Sequence, residues 1–146
     1  MDIKDDFVNQ FNDWLLQHFK IKKSVGTNNY GSSAKLKNSQ ADIYLRLWNE
    51  PKGDTPRWPA GTLVIANIEF YKQRKGHGKA MLQFFVNCAP KFGYDKIGLE
   101  MTQTPAAEGF AVRFFDRKCT EDENAAYDWI TPVDVLAGRL ILATKT

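Results

Sequence analysis

The chain is poor in the residues that build metal centres and disulfide scaffolds. It has two cysteines and two histidines in 146 residues. Cys88 and Cys119 have no CxxC spacing, so they read as reduced structural cysteines rather than a bridge. His18 and His77 lie far apart in the chain, which argues against a zinc site. No apolar run approaches the length of a membrane span, and the N-terminal residues lack the apolar core of a signal peptide. The expectation is a soluble, cytoplasmic protein with no membrane partner and no metal. Charge of one sign is also scarce in excess: 20 Lys+Arg stand against 17 Asp+Glu, a net charge of +3. Such a balance does not point to nucleic acid.

What is present is apolar and aromatic. Hydrophobic residues make up 43% and aromatic residues 13%, enough for a packed core and one domain spanning 1–146. Basic residues gather at Lys20, Lys22 and Lys23 and again at Lys72, Arg74, Lys75 and Lys79. Glu121, Asp122 and Glu123 form an acidic run. There are no repeats and no low-complexity segments.

Phe7, Phe11, Trp14, Leu15 and Phe19 recur at spacings of three and four, predicting a helix over 3–20. The cations at Lys20–Lys23 suit its C-terminal end, and His18 reads as a helix-surface histidine. Residues 24–40 read as a loop with a short strand near Ala34–Lys37. Ile43, Leu45 and Leu47 alternate with Tyr44, Arg46 and Trp48, a half-buried strand. Residues 49–61 hold three prolines and two glycines and form a long loop. Trp58 within it reads as a packing anchor.

Residues 62–71 form a nearly continuous apolar run, a central strand. Strict alternation puts Leu63, Ile65, Asn67, Glu69 and Tyr71 on one face and Val64, Ala66, Ile68 and Phe70 on the other. Met81, Leu82, Phe85, Val86 and Ala89 then mark a helix, closed by Pro90 and Gly93. Residues 96–101 are a second central strand, and Phe110, Ala111, Phe114 and Phe115 sit at helical spacing. "YDWIT" and "RLILAT" read as two final strands. The order describes a mixed α/β domain with two strand–loop–helix crossovers.

Between strand 62–71 and the helix after it stands Gln73-Arg74-Lys75-Gly76-His77-Gly78-Lys79. The first N–H groups of a helix have no internal partner, and the helix dipole makes that end positive. Glycine allows close backbone approach. The ligand this describes is a phosphate or a diphosphate. A P-loop is excluded, since Ala80 follows Lys79 where a hydroxyl is needed. A dinucleotide fingerprint is excluded, since Met81 stands at the third glycine. A plain basic surface turn remains the alternative on these residues alone.

Gln73-x-x-Gly76-x-Gly78 resembles the Q/R-x-x-G-x-G/A signature of the GNAT superfamily of acyl-CoA-dependent N-acyltransferases. The apolar strand before it and the amphipathic helix after it match. Lys96–Met101 resembles the family's next strand, and Ala111-Val112-Arg113-Phe114-Phe115 resembles its A-x-x-[LF]-Y helix segment. The likeness covers about residues 62–118, with "RLILAT" as the closing strand.

The resemblance implies a central mixed sheet with splayed strands and helices on both faces, and acetyl-CoA as co-substrate. The pantetheine arm would run along Ile68, Glu69 and Phe70. The diphosphate would lie over Gln73, Arg74, Lys75, Gly76, His77, Gly78 and Lys79. It implies acetyl transfer to a primary amine, with the acceptor unidentified and homodimerisation open. Glu69 is the first candidate general base, on the expectation that partial burial raises its pKa, and Glu100 the second. The competing role for either carboxylate is an ion pair with Arg46 or Arg113. Phe115 stands where the family commonly has a tyrosine that protonates the leaving thiolate. Glu108 replaces the usual asparagine, and the Gly-Phe after the helix is missing. Tyr71, Tyr127 or water would substitute as the acid. The rival readings are a coenzyme A or protein binding module without turnover and, least supported, nucleic-acid binding through Lys20–Lys23 and Lys72–Lys79. Acceptor specificity would lie in helix 3–20, loop 49–61 and the C-terminal strands.

Overall fold

The computed structural model describes residues 3–20, 26–29, 33–37, 41–48, 58–70, 76–100, 105–117 and 128–145. Helix α1 (Ile3–Phe19) opens the described chain. It is followed by β1 (Gly26–Asn29), β2 (Ser33–Lys37), β3 (Ala41–Trp48) and β4 (Thr62–Phe70). Helix α2 (His77–Cys88), a 3-10 turn (Ala89–Phe92), β5 (Lys96–Leu99) and α3 (Pro105–Phe114) come next. The chain closes with β6 (Asp116–Arg117), β7 (Trp129–Pro132) and α4 (Val133–Lys145). The strands form one sheet in the order β1-β2-β3-β4-β5-β7-β6. Only β4 and β5 pair in parallel among its described strands, as a strand–helix–strand crossover requires.

Two segments differ from expectation, one read as loop and one as strand. Residues 26–29 pair with β2 as an edge strand. Gly-Thr-Asn-Asn offers no hydrophobic alternation, and only backbone pairing makes it a strand. "RLILAT" lies inside α4, which buries Val133, Leu136 and Leu140 at spacings of three and four. A short apolar run fits either period, and here packing of α4 against α2 and α3 selects the helix.

The core forms because one face of β3, β4 and β5 is aliphatic. Ile43, Leu45, Leu47, Leu63, Ile65, Ile97 and Leu99 are buried there with Phe7, Phe11, Leu15, Met81, Leu82 and Phe85. Each such side chain contributes on the order of 1.5–3 kcal/mol. An aromatic seam fixes α1 on α2. Phe7 meets Phe92 and Tyr94 with ring centroids 5.5 and 5.7 Å apart. Phe11 meets Phe85 at 4.9 Å, and Trp14 meets Phe84 at 5.5 Å. The two helices therefore run antiparallel, and the last turn of α1 reaches the first turn of α2. Gly93, with φ 91, ends the 3-10 turn, so Pro90 and Gly93 close this helical segment as expected.

Strand β4 breaks strict alternation. Tyr44 pairs with Asn67 and Leu45 with Ile65, which leaves Ala66 as an extra residue. This β-bulge flips the strand. Ile68, opposite Ile43, joins the face of Leu63 and Ile65, while Asn67 and Glu69 move to the face of Tyr44 and Asp42. The expected grouping of Leu63 and Ile65 with Asn67 and Glu69 is therefore corrected. The expectation failed because a bulge adds one residue to the period.

Candidate donor-binding site

The β4–β5 ladder pairs Thr62–Ile65 with Lys96–Leu99 and ends on the Glu100 N–H, which donates to the Ile65 carbonyl at 3.0 Å. Past the bulge, β4 continues to Phe70 paired with β3. The described β4–β5 ladder thus ends at the residue before Ala66. Of the residues expected along the pantetheine arm, Ile68 is half-buried and Glu69 is exposed. Phe70 ends β4, opposite Ala41.

Glu69 does not have the partial burial expected of it. After the bulge it lies opposite Asp42, across from the half-buried polar face of β3 rather than over the core. Glu100 is buried, at 6% exposure. Its Oε1 accepts from Trp58 Nε1 at 3.1 Å and lies 3.0 Å from Arg46 Nε. The Arg46 N–H makes no directed hydrogen bond, so this contact is an ion pair. It is one of the two ion-pair roles weighed for the carboxylates. Trp58 is fully buried and packs on Gly98, confirming it as an anchor. Glycine is required at 98 because the indole occupies the place of a side chain.

The glycine turn begins at Gly76, whose φ of 76 is left-handed, and α2 starts at His77. Gln73, Arg74 and Lys75 lie outside the described residues, as do Tyr71 and Tyr127. The start of α2 has three features that suit an anion. Among the described residues no side chain caps it and a Cβ built on Gly76 would meet nothing within 4 Å, and its first turn carries no acidic residue. A helix end of this kind offers N–H groups and partial positive charge to a ligand. Lys79, half-buried, adds a cation on the first turn. Gly78 serves packing instead. A Cβ there would approach Phe110 Cε2 at 2.8 Å, so the glycine lets α3 close against α2. The start of α2 fits a diphosphate.

One feature of this end was not legible as a site residue. His18, expected on the helix surface, is half-buried and bonded to His77: its Nε2 lies 2.9 Å from His77 Nδ1. Its ring stacks on Trp14 at 4.6 Å, and the His77 ring lies 4.7 Å from Phe19. Burial, and then the neighbouring His77, hold the His18 pKa below its ordinary value of 6.5. The sequence signal for it was the Trp14–His18 spacing of one helical turn, which carried no long-range information. Phe115 follows α3 and is 4% exposed; its N–H donates to the Ala111 carbonyl at 2.8 Å.

No protein-family model matches the chain, and no curated protein matches it. Solved structures do. FdhC in its apo form, a nucleotide-linked sugar GNAT, has a TM-score of 0.54 at 13% identity, covering 99% of this chain and 90% of its own. GCN5 of Tetrahymena has a TM-score of 0.49 at 11% identity, over 71% of this chain and 70% of that one. The Paia N-acetyltransferase of Thermoplasma acidophilum, in complex with coenzyme A, has a TM-score of 0.48 at 12% identity, over 83% of this chain and 67% of that one. The mixed sheet, the parallel β4–β5 pair and the end-to-end match to FdhC give this chain the fold of the GNAT acetyltransferases.

Proposed function

We propose that the chain transfers an acetyl group from acetyl-CoA to a primary amine. The observation that carries this reading is the start of α2 at Gly76, which among the described residues has no side-chain cap, no acidic residue in its first turn and nothing within 4 Å of a built Cβ. Gly76, His77, Gly78 and Lys79, with Gln73, Arg74 and Lys75 before them, would hold the diphosphate. Ile68, Glu69 and Phe70 would offer β4 backbone groups to the pantetheine arm. The thioester supplies an activated acyl group and a stable thiolate leaving group.

What the chain adds is positioning and removal of a proton from the amine. Glu69 is the proposed base because its carboxylate is exposed on the limb of β4 beyond the bulge. It would act through a water, without the help of burial. Glu100 is bound to Trp58 and Arg46 and would fix the junction of β4 and β5. Calorimetric titration with acetyl-CoA, followed by free-thiol release with a panel of amines, tests the reading. Binding in the micromolar range and amine-dependent thiol release are expected. Absence of binding below millimolar acetyl-CoA would overturn it. Glu69→Gln should lower kcat by about a hundredfold or more and leave donor affinity unchanged.

Phe115 favours a second reading, a weak or inactive coenzyme A or protein binding module. It is buried and has no hydroxyl to protonate the thiolate. Binding of acetyl-CoA without thiol release for any amine is the outcome that selects it.

A further inference from the structure

The protein's two histidines, 59 positions apart, meet at the one helix end proposed to receive a diphosphate. The antiparallel packing of α1 on α2 brings them there. His18 is the basic residue of the last turn of α1 and His77 the first residue of α2. The two ring nitrogens face each other at 2.9 Å. Such a pair can hold one proton between them and keep the bond. Two protons put donors face to face and break it.

The fields on the pair oppose each other. The C-terminal carbonyls of α1 favour a cation at His18, and the positive start of α2 disfavours one at His77. Trp14 stacks on His18 with planes 11° apart, a surface that accepts a cation. The charged groups nearest in the chain are Lys20, just past α1, and Lys75 and Lys79, two positions to either side of His77. The last turn of α1, Leu16-Gln17-His18-Phe19, holds no carboxylate, and neither does the first turn of α2. Phe110 of α3, which carries no charge, lies over Gly78 of this turn, and Phe19 of α1 lies against the His77 ring. An anion at the start of α2 would reverse the balance by replacing a positive field with a negative one.

We propose that His18 and His77 form a proton-accepting pair coupled to the start of α2, so that a diphosphate bound there draws a proton from solvent into the pair. The inference rests on the proposed coenzyme A reading for its ligand. The proton adds to an imidazole nitrogen lone pair, and no other bond changes. Linkage then fixes the sign. The bound anion raises the affinity of the pair for a proton, so affinity for the anion rises as pH falls until the pair is singly protonated. Below that, a second proton opens the His18–His77 bond.

The test uses dephospho-coenzyme A. Its diphosphate stays fully charged through neutral pH, whereas the 3′-phosphate of coenzyme A itself titrates near about pH 6. Calorimetry in buffers of different ionisation heat counts the protons taken up. On the order of half a proton is expected near neutral pH. The dissociation constant should tighten about threefold to tenfold between about pH 8 and about pH 6.5. In the double variant His18→Gln, His77→Gln, uptake should vanish and the pH profile flatten. Binding by the wild type without proton uptake, or equal uptake in the double variant, would overturn the proposal. A wild type that binds no dephospho-coenzyme A and no acetyl-CoA removes the coenzyme A reading and the coupling with it. Imidazole NMR of the free chain tests the pair separately, since two histidines give two resolved sets of signals. Two coupled steps are expected. Two independent single-step titrations at the ordinary value would overturn the pairing whatever the ligand does.

Discussion

A Cβ on Gly98 would stand 2.5 Å from Cζ3 of Trp58. The tryptophan takes the space of the missing side chain, and its indole N–H then reaches Glu100 on the same strand face. Gly98→Ala must push a fully buried indole out of place. The expected cost is about 1–3 kcal/mol, read as a lower urea midpoint with an unchanged slope. Trp58→Phe in the same background should recover part of it, because the smaller ring leaves room for the methyl group.

Glu100→Gln keeps an acceptor for the Trp58 N–H and removes the charge partner of Arg46. Arg46 is 41% exposed at its side chain, so solvent screens the pair. Chemical denaturation should show a loss of about 1 kcal/mol or less. A much larger loss of thiol release than of stability would transfer the role of base from Glu69 to Glu100.

Gly76→Asp places bulk and negative charge at the start of α2. Acetyl-CoA affinity should fall by more than about a hundredfold. The left-handed φ adds a conformational cost of about 1–2 kcal/mol, which thermal melting measures separately. Near-native affinity would mean that the diphosphate lies elsewhere.

Phe115→Tyr adds the hydroxyl that the resembled helix segment commonly carries. If the acid step limits turnover, kcat should rise by about tenfold with the KM for acetyl-CoA unchanged. An unchanged kcat assigns protonation of the thiolate to another group or to water.

His18 makes stability depend on pH. Its pKa in the folded chain is lowered, so the unfolded chain binds the proton more tightly. The stabilisation is fully present above the ordinary value of 6.5 and is lost as pH falls from there through the lower folded value. Urea midpoints at about pH 7.5 and about pH 5.5 should differ, and His18→Phe should reduce the difference.

The local pattern of the chain was enough to read the order of its main elements. Phe7, Phe11, Trp14 and Leu15 specify a helix by their spacing, and residues 62–70 specify a central strand by being apolar throughout. The start of α2 was legible as a helix start for the same reason, since two glycines stand after a strand and before an apolar helical stripe. The rest depends on contacts between distant residues. Ala66 becomes a bulge only against β3, and that one extra residue decides which way Glu69 points. Residues 139–144 become helix rather than strand because α4 packs on α2 and α3. His18 gains a partner at position 77 only because an aromatic seam lays α1 antiparallel on α2. Periodicity reports which residues are buried within an element. Register, bulges and long-range pairs are set by how elements meet, and only the tertiary structure decides them.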